Sequence, residues 1–238
     1  MNAPTIRPIS GTDIRMVPGP WPLPAALRAQ VPVRWAAMLA ANPHLWDGRI
    51  IGVTAPAVGD DGVLRAEARE DAFSAFLTWR EAGFPDIGMH NLFGSALIAS
   101  SDGALIYGVM GADTANAGRI YPPGGSLEPR DVLADGRVDV AGCTDLELEE
   151  ETGLRAGDAG KGRLVAVFDG PRISVAQFYH FDEAADRLVA RIRANLDAQE
   201  HRELADIVAI RCLADADPVW TVPYALALAE AFGQGELT

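Results

Sequence analysis

The sequence predicts an α+β chain built on a mixed sheet, and three observations carry that expectation. Short apolar runs of strand character and stretches of helical periodicity follow one another in mixed order. Two pairs of strand-like runs are joined by the turn signals "GDDG" and "SSDG", so hairpins connect part of the sheet. No internal repeat of fixed period is present. A doubly wound parallel sheet would instead alternate strand and helix throughout.

Residues 1–24, "MNAPTIRPISGTDIRMVPGPWPLP", are rich in Pro and Gly and read as an extended or irregular leader without a signal-peptide core. "AALRAQVPVRWAAMLAANPHLW" is helical in part, broken at Pro32 and closed by Asn42-Pro43. "RIIGVTAPAV" and "GVLRAEARE" are two strands; in the second, Leu64, Ala66 and Ala68 alternate with Arg65, Glu67 and Arg69. "DAFSAFLTWREAG" is a helix with Asp71 as its expected N-cap, and Trp35, Trp46 and Trp79 are expected to anchor this part of the core. A small α/β arm therefore spans residues 1–90, and a second unit spans 91–238. The second opens with the hairpin "LFGSALIASSDGALIYGVMG". A glycine-rich stretch, an acidic helix, the strands "GRLVAVFDG" and "RISVAQFYHF", a helix, the strand "LADIVAIRCL" and a closing helix "VPYALALAEAF" follow.

Twenty basic and 33 acidic residues give a net charge of −13. So acidic a chain is a poor partner for nucleic acid or for an anionic membrane surface. No run approaches the length of a membrane span, and two cysteines, Cys143 and Cys212, form no disulfide framework. These features point to a soluble protein of the cytoplasm. The four histidines show no metal-ligand spacing, and Cys143 reads as small core filling.

The chemistry is concentrated in "DLELEEETGL", where Asp145, Glu147, Glu149, Glu150 and Glu151 crowd the C-terminal end of a helix closed by Gly153. Like charges at this spacing repel, and the helix dipole adds to the cost, on the order of 1–3 kcal/mol in all. A divalent cation would compensate. Glu147, Glu150 and Glu151 share one helical face, while Glu149 points away to solvent. Upstream, "PPGGSLEP" is a stiff strand end followed by two glycines whose backbone can approach a ligand. Oxygen ligands of this kind suit Mg2+, with Mn2+ as an alternative. Arg119 and Tyr121, just ahead of that loop, are candidates to meet a phosphate and a base.

At these residues the chain resembles the Nudix hydrolases. Gly125 stands where that family's signature opens, Asp131 where its first glutamate belongs, and Glu147, Leu148, Glu150, Glu151, Gly153 and Leu154 match its tail. The resemblance covers about residues 92–232. It departs in three ways: Leu146 replaces the signature arginine, Asp131 is shorter than glutamate, and fourteen residues separate 131 from 146 where the family has seven. Arg137, inside that insertion, is a candidate phosphate clamp in place of the lost arginine. The order of elements in the arm is also similar to the Nudix subgroup that cleaves UDP-glucose. The resemblance implies an α/β/α sandwich with a mixed sheet and metal-dependent hydrolysis of a nucleoside diphosphate derivative, a nucleotide sugar by preference. It implies metal held by Glu147, Glu150, Glu151 and the Gly124 carbonyl, with Glu150, Glu151 or one of the two acids ahead of the "LADIVAIRCL" strand, Glu200 in preference to Glu203, as base. Gly125, Asp131 and Gly153 would support the site. The other implied reading is a nucleotide- and metal-binding module with little turnover. The partner is a small-molecule nucleotide, and an arm ahead of a compact domain offers a surface for a homodimer.

Overall fold

The computed structural model describes residues 3–237. Its leader is not irregular: Thr5–Ile9 forms β1 and Gly11–Met16 forms β2. Both are strands because of partners far along the chain, which the local Pro- and Gly-rich composition does not reveal. Thr5 lies opposite Phe168, and Gly11 runs parallel beside Val63. Ala25–Arg28 (α1) and Val31–Ala41 (α2) follow. Pro32 opens α2 instead of breaking it, since a first-turn proline loses no hydrogen bond. Arg49–Val58 (β3) and Val63–Ala72 (β4) form the expected hairpin, and Phe73–Glu81 is α3.

Asp71 does not cap α3. It is buried, accepts the Trp21 N–H at 3.0 Å and takes the Arg28 guanidinium at 2.7 and 2.9 Å. A buried carboxylate demands such a partner, and the α3 first turn instead gives its Ser74 N–H to Asp47 at 2.7 Å. Trp79 is buried as expected, but Trp46 is exposed; Trp21, edge-on to Trp79 at 5.8 Å, shares the arm's core with it.

The second unit runs Met89–Ala99 (β5), Leu105–Met110 (β6), Ile120–Tyr121 (β7), Val140–Thr152 (α4), Gly160–Asp169 (β8), Arg172–His180 (β9), Ala185–Ala198 (α5), Leu204–Ile210 (β10) and Pro223–Gly233 (α6). The strands make one mixed sheet in the order β1-β8-β9-β5-β3-β4-β2, with β6 also on β5 and carrying β7 and β10. On one side β5 pairs parallel with β9. On the other it meets β3 at its start and β6 at its end, both antiparallel. The gap between β3 and β6 is filled by the glycine loop: the Ala96 N–H donates to Pro123 O at 2.7 Å and the Gly94 N–H to Gly125 O at 3.2 Å.

Successive strand residues point to opposite faces. Gly94 lies against Thr144 of α4, whereas the Phe93 ring meets Tyr224 of α6 at 5.3 Å. The sheet is thus sandwiched between α4 and α6 at β5, an α/β/α arrangement. The first ninety residues extend the same sheet at both ends, and Ile14, Ile51, Val53 and Leu64 share a buried cluster with Leu127, Val138, Val140 and Val175. Among the described residues no helix is long and apolar enough to cross a membrane.

Candidate metal and substrate site

Helix α4 is closed at both ends by local chemistry. Asp139 accepts the Gly142 N–H at 2.9 Å, and Gly153 adopts φ 70°, the left-handed cap expected of it. Between them every acid of the crowded stretch has a partner, most of them far along the chain. Asp145 pairs with Lys161 at 2.8 Å and Glu149 with Arg155 at 3.1 Å. Glu151, buried, accepts the Gly124 N–H at 2.8 Å. Glu147, also buried, and Glu150, exposed, lie 3.4 and 3.5 Å from the Arg130 guanidinium, which reaches Glu128 as well at 3.4 Å.

The glycines make this approach feasible. A Cβ on Gly125 would run into the Glu147 carboxylate, and one on Gly124 would strike the Gly94 carbonyl. Asp131 is buried under the same loop and accepts the Glu128 N–H at 2.8 Å, which shapes the short 3-10 turn Pro129–Asp131 that carries Arg130.

Burial, with the neighbouring Glu203 and Glu150 carboxylates, pushes the Glu147 carboxyl up to about 7, against the pull of Arg130. Burial and the Glu147 and Glu203 charges hold Glu151 well above the ordinary carboxylate range, and the Gly124 N–H only partly offsets this. Two adjacent buried carboxylates that resist ionisation together are relieved by an added cation. Among the described residues no three His, Cys, Asp or Glu side chains are gathered, as they stand, in the way a metal ion requires. The donor set nevertheless fits a hard divalent cation in kind, since carboxylate and backbone oxygens are what it takes.

Gly124 and Gly125 also line a cavity of about 240 Å³, together with Phe76, Arg80, Asn91, Phe93, Tyr121, Arg172, Glu203 and Tyr224. A second, more open cavity of about 680 Å³ shares Arg80, Asn116 and Arg172 with it and reaches Arg119 and Thr221. Tyr121 sits in the first cavity, its hydroxyl accepting from Asn116 at 3.0 Å. Arg119 belongs to the second, donates to Val219 O at 3.0 Å and lies over the Trp220 ring at 5.9 Å. Arg137 pairs with Asp135 at 2.6 Å, beside β2, and lines neither cavity. Glu200 is exposed beyond α5; of the two acids ahead of β10, Glu203 is the one whose charge acts on Glu147 and Glu151.

Sequence reasoning therefore weighed Glu203 but favoured Glu200, and it missed Arg130 and the pair Arg80 and Arg172. Arg130 had a local signal, being the one base between Gly125 and Arg137. The arginine pair had none, because α3 and β9 meet only in the folded chain.

No family model and no curated protein matches the sequence. Solved structures resemble part of it. A MutT protein from Methanosarcina mazei Go1 is 17% identical with a TM-score of 0.41, covering 63% of this chain and 96% of that one. RenU, a Nudix hydrolase from M. smegmatis, is 12% identical with a TM-score of 0.39, covering 62% and 83%. A bifunctional NMN adenylyltransferase/ADP ribose pyrophosphatase from Francisella tularensis, complexed with AMP and a Mn ion, is 18% identical with a TM-score of 0.36, covering 57% and 37%. The likeness is one of fold, and it is confined to part of the chain.

Proposed function

We propose that this chain is a Nudix-type pyrophosphohydrolase, dependent on Mg2+ or Mn2+, that splits the diphosphate of a nucleoside diphosphate derivative, a nucleotide sugar by preference. The observation that carries the reading is the pair of buried carboxylates, Glu147 and Glu151, pressed against the Gly124-Gly125 loop, which itself lines a cavity shared by two arginines.

A diphosphate is protected from water by its own negative charge. A divalent cation held by Glu147, Glu150, Glu151 and the Gly124 carbonyl supplies the charge neutralisation and water activation that such hydrolysis requires. The chain's own groups do the rest. Arg130 keeps Glu147 and Glu150 turned toward each other despite their like charge. Gly124 holds Glu151 by its N–H, which orients one carboxylate oxygen and leaves the other for a ligand. Glu203 at the cavity wall and the exposed Glu150 are the carboxylates open to accept a proton from water. Gly125, Asp131 and Gly153 shape the loop and the helix end that hold these groups.

A second reading, a binding module without turnover, is favoured by one observation: the Arg130 guanidinium already occupies the faces of Glu147 and Glu150. A panel of nucleotide sugars, ADP-ribose, dinucleoside polyphosphates, NADH, CoA and nucleoside triphosphates, assayed for phosphate-bearing products with Mg2+ or Mn2+, decides between them. Metal-dependent cleavage that disappears in Glu151→Gln supports the hydrolase. Metal binding by calorimetry with no cleavage of any substrate supports the module. Undiminished cleavage in Glu151→Gln would sink the metal assignment.

A further inference from the structure

Beyond the carboxylates, the cavity holds polar groups that the hydrolysis itself leaves unused. Arg80 projects from α3 in the arm and is half-buried. Its guanidinium donates only to neutral oxygens, Asn116 Oδ1 at 2.9 Å and Ala115 O at 3.2 Å, and lies over the Phe76 ring at 5.8 Å. Among the described residues no carboxylate comes within ion-pair distance of it, although the chain carries 33 acids. Arg172, at the start of β9, shares the cavity. It spends one nitrogen on Asp169 at 2.6 Å, while its buried Nε–H has no partner. Asn91, at the start of β5 and 6% exposed, lines the same cavity with an unpartnered side-chain oxygen.

Each of these is costly to leave as it stands. A guanidinium half-shielded from water with no carboxylate in contact, only the more distant charges of Glu81 and of Glu203 on the cavity wall, an orphan donor and an orphan acceptor together lose several hydrogen bonds' worth of solvation. Two guanidinia in one cavity also repel. A ligand group that carries negative charge for the arginines, and a hydroxyl to donate to Asn91, satisfies all three at once. Phe76 and Phe93, bordering the cavity, suit the carbon face of a sugar ring.

We infer that Arg80, Arg172 and Asn91 form a subsite for an anionic, hydroxylated group on the departing half of the substrate, a sugar acid or a sugar phosphate, so that the enzyme prefers nucleoside diphosphate sugars bearing a charge beyond the diphosphate. The inference rests on the pyrophosphohydrolase reading for its place in a reaction, but the subsite binds whether or not turnover follows. The second cavity runs from Arg80 and Arg172 on to Arg119, which leaves room for the rest of an elongated ligand.

The test offers matched pairs, a nucleoside diphosphate hexose and the corresponding nucleoside diphosphate hexuronic acid, on uridine, adenosine and guanosine. Binding is measured by calorimetry in EDTA and cleavage is measured with Mg2+ or Mn2+. Arg80→Gln, Arg172→Gln and the charge-conserving Arg80→Lys are run beside the wild type, each checked by thermal melting. The acid is expected to bind and to be cleaved at least about tenfold better than the neutral sugar. Either Gln variant should bring that ratio toward one, while Arg80→Lys should keep part of it. Equal handling of both sugars, no binding of either, or an equal loss on both in the Gln variants would overturn the subsite; in the last case the arginines would serve the diphosphate common to the pair. Preferential binding of the acid without any cleavage would uphold the subsite and refute the hydrolase reading alone.

Discussion

Arg130 is where the chemistry of single residues is most sharply drawn. It stands on a 3-10 turn seventeen residues ahead of Glu147, yet its guanidinium occupies the space between Glu147, Glu150 and Glu128. The helix itself offers Leu146 where the resembling family has arginine, so the positive charge reaches the carboxylates from the loop side. Removing it leaves like charges opposed. Arg130→Ala is expected to lower kcat/KM by about tenfold or more, with Arg130→Lys intermediate because it keeps charge but not the planar fork. Steady-state kinetics on the best substrate checks this; an Ala variant as active as wild type would leave Arg130 a surface ion pair. Glu147 makes a second prediction for the metal-free protein. Its carboxyl is raised in the folded state to about 7 from an ordinary 4.5. The proton-bound form is thus favoured by folding, and this group's stabilisation is complete below about pH 4.5 and lost as pH rises through about 7. In EDTA the melting temperature is expected to fall between about pH 5 and pH 8, by the equivalent of roughly 3 kcal/mol for this group. Glu147→Gln should lessen that slope, Glu151 supplying the remainder, and a slope of the opposite sign would contradict the burial that sets it.

At the scale of elements, the site is a loop pressed between a strand and a helix. Pro123 and Gly125 accept N–H groups of β5 on either side of Gly124, while α4 crowds the loop from one face. The two glycines are needed for different reasons, and substitution separates them. A methyl group added at Gly125 would displace the Glu147 carboxylate, the movable end of a side chain. Gly125→Ala should therefore cost only about 1 kcal/mol of stability but at least about tenfold in activity. A methyl group added at Gly124 would meet the fixed Gly94 backbone. Gly124→Ala is expected to cost about 3 kcal/mol or more and to lose activity through the fold. Urea titration beside kinetics distinguishes the two, and equal stability losses would refute the distinction. Much at this scale was legible beforehand. The hairpins, α4 and its Gly153 cap follow from periodicity and turn residues, which are local. The cap of α3 was not legible: Asp71 has the right residue type but stands one residue ahead of the N-cap, Ala72, and is buried against Trp21 and Arg28.

Over the whole molecule, the first ninety residues and the remainder share one sheet and part of one core. β1 borders β8, β3 borders β5, and Ile51 donates its N–H to Leu127 O at 2.7 Å. Equilibrium unfolding is expected to be a single transition followed alike by far-ultraviolet dichroism and tryptophan fluorescence. A fragment of residues 91–238 should not fold, because it would expose the edges of β5 and β8 and half of a buried cluster. A stable, dispersed spectrum from that fragment would show the arm to be an independent body. The α3 contribution of Arg80 to the cavity gives this integration a chemical meaning: without the arm, the carboxylates would face an incomplete pocket.

The sequence by itself determined the element pattern, the mixed sheet, the acidic face of α4 with its glycine cap, and the glycine loop that must lie against it. These depend on periodicity, backbone freedom and spacing along short stretches of chain. Only the tertiary structure decided which cations and donors meet those acids, that Glu203 faces the cluster where Glu200 does not, and that α3 and β9 bring Arg80 and Arg172 to one cavity. Charge and hydrogen bonding act across a few ångströms of space whatever the separation along the chain, so a partner from a distant element leaves no mark in the local sequence.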